Sequence, residues 1–310
     1  MREQVRLVAL AAESGAEVLV AEMMSIGAEC LAVESRRILR PGTLAVTNAR
    51  LDHMDQMGRE KAAIARTLGA AFPERADVFI PEEEVVPAFE EAAARTGSKL
   101  RAVARGPAAE GPGARPPFGE FEPNRRLARA VLGSLGVDGG TAERGFVAAA
   151  PDPGHLRIWR CAFGEPPRPV VCVNLFAANE PESSAAALLE VKAAVPFAGR
   201  TIACILSLRE DRGDRTLQWV RAARDGFFRE FSSVILIGPP ARAALRKFRW
   251  LAQPGSPVFS RADGRSPKDL MNRALSSTPG EAIIVGLGNF VGPGDDLVRY
   301  WERIGTAHDR

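Results

Sequence analysis

The sequence predicts an α/β protein of two units, each a parallel sheet wound with helices. Three observations carry this. In the first half, apolar runs short enough for strands alternate with amphipathic stretches long enough for helices. The same alternation resumes after a stiff Pro-Asp-Pro-Gly stretch at 151–154. The length of 310 residues, 46% hydrophobic and 25% charged, suits two ordinary globular domains.

Taken in order, a helix over 2–14 leads to an apolar strand over 16–21. A helix over 28–39 leads to a strand over 42–47. A polar loop follows, then a helix over 59–71 and a short strand over 77–80. A helix over 82–96 leads to a strand over 99–104. Residues 105–117, rich in Gly, Pro and Ala, read as a surface loop. Helices over 123–135 and 141–147 close the unit, with Asp138-Gly139-Gly140-Thr141 as a turn and cap. Beyond the linker, strands are expected near 156–161, 169–175, 201–206, 233–237 and 282–286. Helices are expected near 183–194, 214–223, 239–248, 266–274 and 294–304.

Composition excludes several classes. No apolar run approaches the roughly 18 residues of a membrane-spanning helix. The first residues form a mixed charged helix rather than a signal peptide. Net charge is only +3, and no basic stripe interleaved with aromatics marks a nucleic-acid surface, so none is expected as a partner. Cys30, Cys161, Cys172 and Cys204 are widely spaced without a C-x-x-C and read as reduced thiols of a cytoplasmic protein.

Chemistry concentrates at strand ends. The stretch Thr47-Asn48-Ala49-Arg50-Leu51-Asp52-His53-Met54-Asp55 follows an apolar run, and Glu22-Met23-Met24-Ser25 follows another. Two parallel strands ending side by side bring Glu22 and His53 to one carboxyl edge, where open α/β sheets bind ligands. A carboxylate and an imidazole there suit a divalent cation serving a phosphate. The plainer reading has Asp52 capping the next helix and His53 packing locally.

The Thr47–Asp55 stretch resembles the TN…DH(L/M)D motif of the Mur ligase superfamily. Within it, the nearest resemblance is to the poly-γ-glutamate synthase ligases of capsule synthesis. Ala150–Ile158, Asn174–Ser184, Arg209–Thr216 and Val285–Gly292 fit the same group in the same order. The resemblance implies a Mur ligase-like central domain over 1–154, incomplete at its N-terminus, and a Rossmann-like C-terminal domain over 155–310. It implies ATP-dependent amide formation: a γ-carboxylate is phosphorylated to an acyl phosphate, and the amine of an incoming glutamate displaces phosphate. ATP and Mg2+ are the implied cofactors. Glu22 and His53 match metal ligands. Asn48, at a strand end, would orient phosphate or a metal-bound water. Asn124 matches an adenine contact or serves only as a helix cap. Asn179 is a polar anchor near the nucleotide, or part of a helix-start loop capped by Ser183 or Ser184. Asp211, Arg212, Asp214 and Arg215 are the catalytic candidates. The arginines would hold a glutamate carboxylate bidentately and an aspartate the incoming amine, although a charge run also suits a solvated loop. Arg157 is either a hinge residue or a surface arginine. Gly286–Gly294 departs from G-x-G-x-x-G by one spacing and reads as a tight turn, not an NAD site.

One departure from the family is large. No G-x-x-x-x-G-K-[ST] occurs in the chain, and none of Lys61, Lys99, Lys192, Lys247 and Lys268 follows a glycine-rich loop. The sequence therefore reads as a family member without its own phosphate loop. A separate polypeptide supplying that loop, the glutamate polymer and membrane subunits of a synthase complex are the implied partners, at the inner face of the membrane. The alternative is a non-catalytic or split-subunit paralogue. Lys61 sits too early on its helix to match the family's carbamylated lysine.

Overall fold

The computed structural model describes residues 1–51, 54–105, 122–149, 155–262, 264, 266–276 and 280–308. The chain divides into two compact units that part near residue 150.

In the first unit, α1 (Arg2–Glu13) and α2 (Ala28–Val33) precede a π-helical turn over Glu34–Leu39. Strand β1 (Thr43–Ala45) follows, then α3 (Met54–Met57) and α4 (Lys61–Leu68). Strand β2 (Asp77–Pro81), α5 (Pro87–Thr96) and β3 (Lys99–Val103) alternate as expected. Helices α6 (Glu122–Ser134) and α7 (Gly139–Ala148) complete the unit. The three strands form one parallel sheet in the order β1-β2-β3. Val78 and Ile80 of β2 are buried against Ile64 and Ala65 of α4 and Phe89 of α5. Phe72 and Phe89 stack with ring centroids 5.7 Å apart, closing this small core. Pro87 starts α5, and Gly97 stops it in the left-handed region at φ +68°. Asp138 caps α7 by accepting the Thr141 N–H at 3.0 Å, as the Asp-Gly-Gly-Thr sequence predicts.

The expected strand over 16–21 is absent; residues 16–26 have no regular secondary structure. An extended segment becomes a strand only when a neighbour takes its backbone hydrogen bonds, and β1 offers three residues. The apolar side chains that suggest a strand are left in solvent, with Val20 89% exposed and Val18 and Met24 also exposed.

The second unit holds seven strands: β4 (Arg157–Phe163), β5 (Arg168–Asn174), β6 (Thr201–Ser207), β7 (Ser233–Ile237), β8 (Val258–Arg261), β9 (Ala282–Gly288) and β10 (Gly305–Ala307). Between them lie α8 (Pro181–Ala194), α9 (Gly213–Arg224), α10 (Ala241–Trp250), α11 (Pro267–Leu275) and α12 (Pro293–Ile304). The sheet order is β10-β4-β5-β9-β6-β7-β8. Strands β5, β9, β6, β7 and β8 are parallel, while β4 pairs antiparallel with β5 and β10. Strands β7 and β9 are buried throughout, which is why they read as unbroken apolar runs. Strands β8 and β10 are additions to the sequence reading. Both are short edge strands, and Gly305-Thr306-Ala307 carries no apolar alternation to reveal it. Among the described residues, no helix is long and apolar enough to cross a membrane.

Candidate functional site

At the carboxyl edge of the first sheet, β1 runs on through Val46, whose N–H donates to Phe79 O at 2.9 Å. Thr47 and Asn48 follow. Asn48 Oδ1 accepts the Arg50 N–H at 3.2 Å, and its Nδ2 donates to Thr47 Oγ1 at 3.3 Å. Asn48 thus shapes the turn that leaves the strand, and it is half-buried there. Strand β2 is followed by a single 3-10 turn, Glu82-Glu83-Glu84. Glu84 is buried, and its Oε2 lies 2.7 Å from Lys61 Nζ. The same oxygen is 3.5 Å from the Ala49 N. Lys61, which sequence spacing excludes, is therefore held beside the Thr47–Arg50 turn. The signal for it is the acidic run just after β2, which supplies its partner.

Glu83 accepts a 2.7 Å hydrogen bond from Arg126, a buried guanidinium on α6. Burial works to raise the Glu83 carboxyl, but its backbone hydrogen bond and Arg126 outweigh this and hold it below the usual range. Arg126 has no counterpart in the sequence reading, because burial of an arginine on a helix depends on what packs over it. Asn124 is exposed and is the third residue of α6, so it does not cap that helix.

Glu22 is exposed in the extended segment before α2, not at the end of a strand. Among the described residues it makes no hydrogen bond or ion pair, while the neighbouring Met24 and Ser25 N–H groups donate to Glu34 at 3.0 and 2.8 Å. His53 and Asp52 lie outside the described residues. No group of three His, Cys, Asp or Glu side chains able to hold a metal forms among those described. A lone solvent-facing carboxylate fits Mg2+, which takes few protein ligands and keeps its waters. It does not by itself define a metal nest.

In the second unit, the helix after β6 leads to β7 on one side, and the helix after β9 leads to β10 on the other. Strands β6 and β9 are adjacent, so the winding reverses between them, and the crevice of an open α/β sheet forms at their carboxyl ends. Two predicted segments leave the sheet there, 209–216 after β6 and 286–294 at the end of β9. The Asn289 N–H donates to Ser207 O at 2.9 Å. Gly288, at φ +91°, has no room for a side chain, since a Cβ would stand 2.2 Å from Ser207 O. The reading of 286–294 as a tight strand–helix turn holds: β9 ends at Gly288 and α12 begins at Pro293.

The 209–216 segment follows β6. Arg209 donates from Nε and Nη2 to the two carboxylate oxygens of Asp211 at 2.8 and 2.5 Å. Those bonds hold the Asp211 carboxyl below the usual range. Arg212 stands at the N-cap of α9, and Asp214 and Arg215 lie in its first turn, all three half-buried. Asp214 Oδ2 is buried and accepts no hydrogen bond among the described residues.

At the end of β5, Asn174 is fully buried. Its Nδ2 donates to His155 O at 2.8 Å, and its Oδ1 accepts the Phe176 N–H at 3.1 Å. Asn179 is half-buried at the start of α8. The cap of α8 is Glu180, which accepts the Glu182 and Ser183 N–H groups at 2.7 Å each, not Ser183 or Ser184. The Ser184 hydroxyl instead donates to Ala178 O. Arg157 pairs with Glu302 of α12 at the surface of this unit. Pro151–Gly154 lies outside the described residues.

Comparison with known proteins agrees with this architecture. The sequence family described as poly-gamma-glutamate synthase CapB C-terminal domain matches residues 162–304. The capsule biosynthesis protein CapB of Bacillus anthracis is 29% identical over 296 residues, 96% of this chain and 62% of that protein. The PGA synthase CapB of Bacillus subtilis is 26% identical over 296 residues, 96% of this chain and 74% of that protein. The chain thus spans less than two thirds of the first relative's length. Among solved structures, E. coli FolC in complex with DHPP and ADP superposes with a TM-score of 0.58 at 18% identity, covering 85% of this chain and 61% of that one. MurF from Acinetobacter baumannii gives 0.59 at 15% identity, covering 88% and 62%. The Yersinia pestis folylpolyglutamate synthase/dihydrofolate synthase complexed with AMPPNP and Mn ion gives 0.58 at 14% identity, covering 84% and 61%. With the CapB C-terminal domain family matching residues 162–304 and CapB similarity along 96% of its length, the chain resembles the CapB poly-gamma-glutamate synthases, and its fold is that of the Mur ligases.

Proposed function

We propose that the chain forms the central and C-terminal parts of an ATP-dependent carbon–nitrogen ligase that extends a γ-linked glutamate polymer. The observation that carries this reading is the 296-residue similarity to two CapB proteins. It is supported by the adjacency of β6 and β9, the strands followed by two of the segments that resemble the family's.

In this reading the terminal γ-carboxylate of the polymer takes the γ-phosphoryl group of ATP. The resulting acyl phosphate is attacked by the amine of a glutamate, and inorganic phosphate leaves. A bound Mg2+ would neutralise charge on the transferring group. Glu22 and His53 would hold that ion, and Asn48 would orient a phosphate or a water at the end of β1. Asn124 and Asn179 would contact the nucleotide. Arg212 and Arg215 would pair with glutamate carboxylates, and Asp214 or Asp211 would hold the incoming ammonium before it loses its proton. A phosphate loop of the G-x-x-G-K-S/T type is not among the 310 residues, so it would come from another polypeptide segment. Membrane subunits would receive the product.

The test is reconstitution. The chain is mixed with a segment bearing such a loop, and ATP-dependent incorporation of labelled glutamate into polymer is followed with phosphate release. One phosphate released per glutamate added is expected. Polymer growth that continues without ATP would remove the ligase assignment. A second reading, a subunit without catalysis of its own, is favoured by the solvent-facing apolar run at Val18, Leu19, Val20 and Met24. It predicts complex formation with no phosphate release in the same assay.

A further inference from the structure

At the amino-terminal edge of the first sheet, the end opposite the Thr47–Asn48 turn, lies a surface basin of about 760 Å³. Four arginines line it: Arg36, Arg37, Arg40 and Arg75, with Glu74 the one acidic neighbour. Arg36 is fixed from below. Its Nε donates to Phe72 O at 3.0 Å and its Nη2 to Ala70 O at 3.2 Å. Arg37, Arg40 and Arg75 are exposed, and among the described residues their guanidinium groups make no hydrogen bond or ion pair. The basin therefore presents three unneutralised cations beside a fourth that is anchored.

The backbone adds an independent observation. Arg40 and Arg75 are the non-glycine residues with positive φ among those described, at 48° and 52°. Both stand at chain reversals leading into strands, where glycine or asparagine is the ordinary choice. Long charged side chains at both positions, each lining one basin, point to use of those side chains. A role at a helix end accounts for Arg36 and Arg37, in the last turn of the Glu34–Leu39 segment, and for the φ of Arg40, its left-handed C-cap. It does not account for Arg75, which precedes β2.

We infer that this basin is a docking site for a polycarboxylate, the γ-glutamate polymer itself, away from the reacting end of the chain. This deepens the proposed function and rests on it for the identity of the polymer. A polymer with one carboxylate per residue meets several spaced guanidiniums at once, whereas a single glutamate meets one or two. Holding the growing polymer at a distance from the reacting carboxylate keeps it bound between additions.

The test measures binding of a labelled short γ-glutamate oligomer to the chain by fluorescence anisotropy, with no nucleotide present. The variants are Arg40→Gly with Arg75→Gly, which relieves the positive φ, and Arg37→Gln added to that pair. The oligomer is expected to bind, to weaken as salt is raised, and to lose about tenfold in affinity in the double variant, with melting temperature unchanged or higher. Arg224→Gln, which removes an exposed arginine of the second unit paired with Asp225, is expected to bind like the parent. Oligomer binding unaffected by the arginine changes, or absent from the parent, overturns the site. Inorganic polyphosphate or single-stranded DNA binding the same arginines more tightly overturns the polycarboxylate assignment. Loss of oligomer binding in the double variant together with failure of the reconstitution assay leaves the site standing and removes only the ligase reading.

Discussion

Glu34 Oε2 accepts the backbone N–H of Ser25 at 2.8 Å while Oε1 accepts that of Met24 at 3.0 Å, so one carboxylate ties down the segment that carries Glu22. Glu34 itself is fully buried in the π-helical turn. Burial pushes its carboxyl up, but the Ser25 hydroxyl, the Met24 and Ser25 N–H groups and the chain's amino terminus outweigh that and leave it below the usual carboxylate range. Since the folded value is depressed, the contribution is present above the unfolded value near 4.3 and is lost as pH falls through the folded value. Glu34→Ala is expected to cost about 2–3 kcal/mol at neutral pH, because two charge-assisted bonds go and two amides are stranded. The cost should shrink in acid. Denaturant melts at pH 7 and pH 3 check this; an equal cost at both would show that the carboxylate is not ionised in the folded protein.

A second expectation concerns the crevice in the second unit. Gly288→Ala places a Cβ against Ser207 O and forces a residue with φ +91° into strain, so a loss of about 2–4 kcal/mol is expected. Gly286→Ala is the comparison. Its Cβ would meet the Phe176 ring at 2.4 Å, a side chain that rotates but is fully buried. Urea titration of both variants reads the difference. A Gly288→Ala protein as stable as the parent would mean that the β6 and β9 loops do not pack as described.

The units differ in how much of them is legible in the sequence. In the second, buried parallel strands such as Val234–Ile237 and Ile283–Leu287 are written as unbroken apolar runs, and helices such as Pro267–Leu275 announce themselves with Ser266 and Pro267. The Asn289–Ser207 contact joins residues 82 apart in sequence and no local pattern encodes it. In the first unit, Ala16–Ala21 has the apolar character of a strand but no partner, and propensity cannot supply one. The Lys61–Glu84 pair is illegible for a related reason: it depends on the acidic turn after β2 reaching back to α4. The cap of α8 is Glu180, one residue before Pro181, where Ser183 and Ser184 are the more usual capping types.

The absence of a lysine-bearing phosphate loop among the 310 residues sets the third expectation. Backbone N–H groups and that lysine supply most phosphate contacts in loops of this kind. Isothermal titration of the chain with Mg-ATP is expected to give no sub-millimolar binding, and Glu22→Ala, at an exposed position, is expected to leave the melting temperature unchanged. Addition of a loop-bearing segment should restore binding, and Glu22→Ala should then weaken it. Tight binding by the chain alone that survives both Glu22→Ala and His53→Ala would place the nucleotide elsewhere.

The last expectation separates Asp211 from Asp214. Both follow β6, but Asp211 is exposed and already engaged by Arg209 at 2.8 and 2.5 Å, whereas Asp214 keeps a buried Oδ2 without a hydrogen bond among the described residues. A carboxylate oxygen desolvated without a donor is costly unless something occupies it in the working protein. An ammonium group, the form in which glutamate would arrive in the proposed reaction, is such a donor. Asp214→Asn keeps the shape and removes the charge, so in the reconstituted enzyme it is expected to raise the KM for glutamate by at least tenfold, with stability nearly unchanged. Asp211→Asn releases Arg209 and is expected to have the smaller effect, because that pair is solvent-screened. Asp225, paired with Arg224 at the other end of α9, serves as the control and its Asn variant should behave as the parent. Should Asp214→Asn match Asp225→Asn in both KM and kcat, the buried oxygen has no part in holding the amine, and the β6 segment would act through its arginines alone.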